Sequence, residues 1–142
     1  MRIENSITID RDPRVVWAYL ADLENLPAWN YAIASTRKVS PGPVRVGTVF
    51  EQDRSVPKPI REKLEITRFE PVHRLTMRGT LGPFRADVSY AIDDVGGVSR
   101  LTNVADIEMG GPLRVVAPFA ARRIQQAVRA NLRKLKALLE GP

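Results

Sequence analysis

Few reactive side chains occur in this sequence, and the types present narrow the chemistry. Cysteine is absent and histidine occurs once, at His73. Thiolate nucleophiles, Cys/His metal centres and Cys-His catalysis are therefore excluded. A Ser-His-Asp triad would have to use His73. That residue stands in FEPVHRL, where Pro71 after Glu70 points to a turn between strands, so a solvated turn residue is the better account of it. What remains is acid–base and hydrogen-bonding chemistry. A reaction at an acidic C–H needs a base to take the proton and donors to polarise the neighbouring carbonyl. Glu62, Arg54 and Tyr90 are the right residue types, but the linear order shows no convergent constellation.

The elements that must position these groups are legible from periodicity. RIENSITI places Ile3, Ile7 and Ile9 on one face of a strand. Asp12 before Pro13 is a helix start, with the acid as N-cap and proline at the first helical position. Val16, Trp17 and Leu20 follow at core-facing spacing. Asp22 caps a second, shorter turn through LENL before Pro27 stops it. IASTRKVS, TVFEQDRSV, REKLEITRFE, RLTMRGTL, FRADVSYAI and RLTNVADIEM then read as six strands, with DDVGGVS as a hairpin turn. From Pro112 to Leu139 the period becomes helical, with Leu113, Val116, Ala120, Ile124, Val128, Leu132, Leu135 and Leu139 on one stripe. Asn131 and the arginines lie between them. Pro118 predicts a kink or a late start near Val116, and Gly141 with Pro142 ends the helix.

A long apolar helix stripe must be buried, and the only partner large enough is the concave face of the sheet. A strongly curved sheet wrapped on one helix seldom closes without a gap, and the gap is a pocket. Strand parity selects the side chains able to line it. Even positions from Phe84 turn Tyr90 inward and Asp87 outward. Asn103 is the odd polar residue on the face of Leu101, Ala105, Ile107 and Met109. Glu62 and Arg68 share the side of Leu64 and Ile66, while Gln52 and Arg54 share the parity of Phe50. Tyr90, Asn103 and Glu62 either contact a ligand or satisfy one another. Arg54 either pairs with a ligand carboxylate or sits at an exposed strand end. Phe50, Met77, Met109 and Phe119 are apolar candidates, and plain packing is the common role of the last three. Trp29 and Tyr31 fall near the expected mouth, where an aromatic packs and still meets a ligand.

The whole chain resembles the START-like, or SRPBCC, superfamily of helix-grip folds, and within it the polyketide cyclase/dehydrase-like group. The resemblance is carried by DPRVVWAYLADLENLPAWN, VGTVF, ITRFEPVHRL, SRLTNVADIE and the terminal NLRKLKALLE, taken in order and spacing. It implies an α+β helix-grip fold: a curved antiparallel sheet of about seven strands around a long C-terminal helix, with two short helices after strand 1. It also implies a mostly apolar cavity for small hydrophobic molecules. Some relatives cyclise or dehydrate aromatic polyketides; others carry lipids, sterols or hormones. Cavity residues credited with catalysis in aromatase-type relatives have no matching motif here, so no catalytic residue is carried over. Fold alone does not give the reaction.

Length and charge bound the remaining possibilities. The 142 residues suit one domain over 1–142, and 44% hydrophobic content suits a folded protein. No apolar run approaches the ~20 residues of a membrane span, and MRIENSITID lacks a signal-peptide block. A cytoplasmic location is expected. The net charge of +6 is concentrated partly in Arg122, Arg123, Arg129, Arg133, Lys134 and Lys136. Such charges usually form a solvated helix face, and no stacking platform accompanies them, so nucleic acid is not the expected partner. The leading expectation is a monomer or homodimer that binds a small hydrophobic ligand, with no cofactor or metal. The alternatives are a polyketide cyclase/dehydratase acting in the same cavity and a nucleic-acid or partner-protein module using the basic helix.

Overall fold

The computed structural model describes residues 1–81 and 83–141. Strand β1 (Arg2–Ile9) is followed by helix α1 (Pro13–Leu20), a 3-10 turn (Leu23–Asn25) and helix α2 (Leu26–Trp29). Strands β2 (Ile33–Lys38), β3 (Val49–Arg54), β4 (Ile60–Glu70), β5 (Arg74–Leu81), β6 (Phe84–Val95) and β7 (Val98–Ile107) come next. A 3-10 turn (Gly111–Val115) leads into helix α3 (Ala117–Glu140). The seven strands form one antiparallel sheet in the order β1-β7-β6-β5-β4-β3-β2. This is the expected helix-grip arrangement.

The order puts β1 and β2, neighbours in sequence, at opposite edges of the sheet. The intervening chain must therefore cross the sheet, and α1, the 3-10 turn and α2 make that crossing. Asp12 starts it as read from sequence: its carboxylate accepts from the Arg14 N–H at 2.8 Å, and Pro13 occupies the first helical position. Val16, Trp17 and Leu20 are buried, and Trp17 packs on Phe69 with ring centres 5.4 Å apart. Asp22 caps the next turn by accepting from the Glu24 N–H.

Three sequence expectations are corrected. Arg68 does not share the inner face with Glu62, because the β4–β5 register shifts between Ile66 and Arg68. The bulge turns Phe69 inward and leaves Arg68 exposed, paired with Glu70. DDVGGVS is not all turn. β6 runs to Val95 and β7 starts at Val98, so the turn is Gly96-Gly97, both at positive φ (66° and 89°), as a two-residue hairpin requires. Finally, the buried stripe of the C-terminal helix is shorter than its pattern. Leu113 and Val116 are exposed, Ile124 and Val128 half-buried, and full burial is confined to Asn131, Leu132, Leu135 and Leu139.

Pro118 does delay the helix, which begins at Ala117. In the first turn its missing N–H leaves no hydrogen bond unmade. At the other end Gly141, at φ 75°, caps the helix, and Pro142 lies outside the described residues. The C-terminal turns of α3 are tied to the β1–α1 corner. Arg11 Nη1 donates to the Leu139 carbonyl at 2.7 Å, and Lys136 Nζ donates to the Thr8 carbonyl at 2.6 Å. Glu140 Oε2 accepts from the Asp10 N–H at 2.8 Å. The helix is thus pinned at its C-terminal end, while its N-terminal half is held by the longer Gln125 Nε2–Glu4 carbonyl contact at 3.4 Å and by the half-buried Ala121 and Ile124. At Gly79 in β5 a Cβ would lie 2.7 Å from the Lys63 carbonyl oxygen, a close approach that only glycine allows. Among the described residues no helix is long and apolar enough to cross a membrane.

Candidate functional site

Between the concave sheet face and α3 lies a partly enclosed space of about 90 Å³. Its apolar wall comes from Leu64, Met77 and Val88 on the sheet and from Ile124, Val128 and Leu132 on α3. Leu26 and Trp29 of α2 close one end. The strand residues point there because they hold the inward positions of a period-two pattern. The same parity brings in polar groups: Gln52 and Arg54 from β3, Thr80 from β5, Tyr90 from β6 and Asn103 from β7, with Asn131 facing them from α3.

Glu62, inward on β4, organises one side of this polar belt. Its Oε1 accepts from Gln52 Nε2 and from Arg54 Nε, both at 2.9 Å, and its Oε2 accepts from Thr80 Oγ1 at 3.1 Å. The Glu62 side chain is 0% exposed and that of Arg54 11%, so this ion pair stands largely outside solvent screening. A carboxylate can only accept, which fixes the Gln52 amide with its nitrogen toward Glu62. Among the described residues the Gln52 carbonyl oxygen, which is buried, has no hydrogen-bond partner, and Thr36 Oγ1, across the β2–β3 ladder, is in the same position. Asn103 Nδ2 reaches the Ser89 carbonyl only at 3.5 Å, and its Oδ1 has no partner among the described residues. Opposite it on β1, Asn5 Nδ2 is also without one. Each such group opposes folding by about 1–3 kcal/mol, which stability alone does not account for.

Tyr90 packs edge-on against Trp29, with ring centres 6.1 Å apart and planes at 80°. Burial raises its phenol pKa above the ordinary tyrosine value, so the hydroxyl stays neutral and able to donate. Below pH ~10 both folded and unfolded chains keep this proton. Above that, the unfolded chain releases it while the folded one does not, so stability falls by about 1.4 kcal/mol per pH unit until the folded phenol ionises. Urea unfolding of the wild type and of Tyr90→Phe across this range should show the variant lacking that slope. Parallel slopes would contradict it.

The candidate residues divide clearly. Trp29, Arg54, Met77, Tyr90 and Asn103 line the space, and Glu62 stands behind Arg54 and Gln52. Phe50 lies in the main core instead of on the wall. Tyr31 is exposed, because its backbone N–H is held by Asn131 Oδ1 at 3.3 Å while the side chain faces out. Met109 follows the end of β7 and borders an outer crevice with Met1, Phe84 and Leu113. Phe119 is 74% exposed on the outer side of α3. Arg54 is neither an exposed strand end nor a free cation, because Glu62 takes it. The apolar pattern of α3 places Asn131 with the arginines between its stripe positions. Asn131 is buried, and its three- and four-residue steps from Val128 and to Leu135 are the signal that places it inward. Among the described residues no cluster of His, Cys, Asp or Glu is arranged to hold a metal ion.

Comparison with known proteins supports the same architecture. A family described as polyketide cyclase / dehydrase and lipid transport matches residues 1–140. Among solved structures, a START superfamily protein from Mycobacterium smegmatis superposes with a TM-score of 0.84 at 12% identity, covering 98% of this chain and 97% of that one. The Zhui aromatase/cyclase from Streptomyces sp. R1128 gives 0.79 at 13% identity, covering 99% and 93%. Ginseng major latex-like protein 151 from Panax ginseng gives 0.75 at 16% identity, covering 99% and 98%. At these identities the likeness shows the fold alone. No protein of curated function matches the chain by sequence.

Proposed function

The chain belongs to the polyketide cyclase/dehydrase and lipid transport family of the START-like superfamily, and on that premise we propose that it binds a small, neutral, hydrophobic ligand between sheet and α3. The observation that carries this reading is the space itself. It is walled by apolar side chains, belted by unpaired polar atoms and roofed by the half-buried part of α3. About 90 Å³ is well below the ~300–1,000 Å³ of a drug-sized site. A larger ligand would enter by lifting the N-terminal half of α3, the half with no fully buried side chain. Neutrality follows from the charges, because the Arg54 cation is already matched by Glu62. A carboxylate entering the site would lose its hydration without gaining a free cation among the described lining residues.

The test is titration with a neutral apolar fluorophore such as N-phenyl-1-naphthylamine, with amide hydrogen exchange followed in parallel. Saturable binding at one site should come with slowed exchange in residues 117–130, while the pinned turns beyond Leu132 change little. Failure to saturate, with exchange unchanged, would overturn the reading. Native mass spectrometry of the purified protein checks for a ligand already bound. A second reading, cyclisation, is favoured by the neutral Tyr90 hydroxyl, a suitable donor to a developing enolate oxygen. It lacks an equally clear base, since Glu62 is engaged by Arg54, Gln52 and Thr80. Turnover of a poly-ketone substrate, abolished in Tyr90→Phe, would establish it. Binding without turnover would leave the first reading standing.

A further inference from the structure

We propose that the outer surface at the start of α3 docks on an anionic lipid bilayer, a surface role that does not depend on what the internal space binds. The apolar part is a tip. Val115 is 79% exposed and Phe119 74%, with Leu113 and Val116 exposed beside them. Four large apolar side chains within seven residues are left in water, the densest such group among the described residues, where the other exposed ones stand singly. The charged part surrounds and extends this tip. Arg114 lies within it, and Phe119 leads at steps of three and four into Arg122, Arg123, Gln126, Ala130, Arg133 and Ala137, all exposed. Arg129 and Lys134 flank that stripe.

Charge complementarity identifies the partner. From Met109 to Leu139 the sequence contains no aspartate or glutamate. Among the described residues Arg114, Arg122, Arg123, Arg129, Arg133 and Lys134 make no ion pair. On the sheet, by contrast, Arg37, Arg61 and Arg78 are each matched by a carboxylate. An unneutralised row of cations with an apolar tip is the pattern of a segment lying in a bilayer interface. The cations meet anionic headgroups and the tip enters the acyl boundary. A second copy of this chain is disfavoured, because face-to-face contact would oppose two rows of cations. A nucleic acid would satisfy the cations but leave Val115, Val116 and Leu113 without a role.

Co-sedimentation with vesicles tests the proposal, comparing phosphatidylcholine alone with phosphatidylcholine mixed with phosphatidylglycerol. The full chain should bind the mixed vesicles at low salt, release on raised salt, and ignore the neutral ones. Arg122→Glu with Arg123→Glu should lower partitioning by about tenfold or more. Phe119→Ser should lower it by about tenfold while leaving the circular dichroism spectrum unchanged. Phe119→Trp should retain binding and shift its emission to the blue on mixed vesicles only. Several results would overturn the proposal: no binding at low salt, equal binding to neutral vesicles, or unchanged binding in Phe119→Ser. A concentration-dependent dimer in buffer that Phe119→Ser dissolves would also overturn it, in favour of a second copy. Tighter salt-sensitive binding to RNA, indifferent to Phe119, would reassign the surface to nucleic acid.

Discussion

Replacing Arg54 by methionine is expected to destabilise the protein by about 3–5 kcal/mol, a large part of the ~5–15 kcal/mol that holds a typical domain folded. The substitution keeps most of the side-chain volume and removes the cation, so the loss reports electrostatics more than packing. Glu62, with its side chain 0% exposed, would keep the Gln52 and Thr80 donors but lose its ion pair. An exposed pair would behave differently. Arg14–Asp12, with side chains 80% and 44% exposed, is screened by water and contributes little by the same argument. The double variant Arg54→Met/Glu62→Leu should recover part of the loss, because no uncompensated charge is left, while Gln52 Nε2 and Thr80 Oγ1 lose their acceptor. Urea unfolding of wild type, both single variants and the double variant closes the cycle. A loss below about 1 kcal/mol for Arg54→Met would show that solvent screens the pair after all.

Trp29→Ala is the second large effect, expected at about 3–5 kcal/mol. Trp29 is buried against Tyr90 and closes one end of the internal space. Truncation removes an indole from a wall already bordering an empty region, so the surroundings have little with which to fill it. The same geometry makes the variant informative about binding. If the new volume joins the existing space, free indole should bind there and raise the melting temperature of Trp29→Ala while leaving the wild type unchanged. At a hundredfold excess over its Kd the ligand would return about 2.7 kcal/mol. A folded variant that indole does not stabilise would mean that the site has collapsed or that the two volumes are not continuous.

Much of this architecture is readable without coordinates, and the reason is local. The alternation Ala86, Val88, Tyr90, Ile92 states which face of β6 is buried, and the backbone geometry of a strand enforces it. Asp12-Pro13 marks a helix start through hydrogen bonds confined to one turn. The resemblance in motif order then supplies the topology that periodicity cannot.

The candidate site was legible only in part. Tyr90, Asn103, Met77 and Arg54 follow from strand parity and do line the space. Parity fails at Arg68 because a single bulged residue reverses the alternation, and composition does not announce the bulge. It also cannot distinguish Phe50, sealed in the core, from Gln52, two residues on and facing the space. Both occupy the inner face, and only the depth of the neighbouring layer separates them.

The sequence by itself determined the element order, the inward residue of each regular strand, the interruption that Pro118 brings to the last apolar pattern and the absence of thiol and paired-histidine chemistry. These depend on residue type and on spacing within one element. Only the tertiary structure decided that Glu62 captures Arg54, that Asn131 turns inward, and that Phe119 and Val115 stand in solvent. Each of those outcomes depends on distances between segments far apart in the chain. Such distances are set by how closely α3 settles on a curved sheet, a balance of packing, desolvation and chain entropy summed over the whole fold.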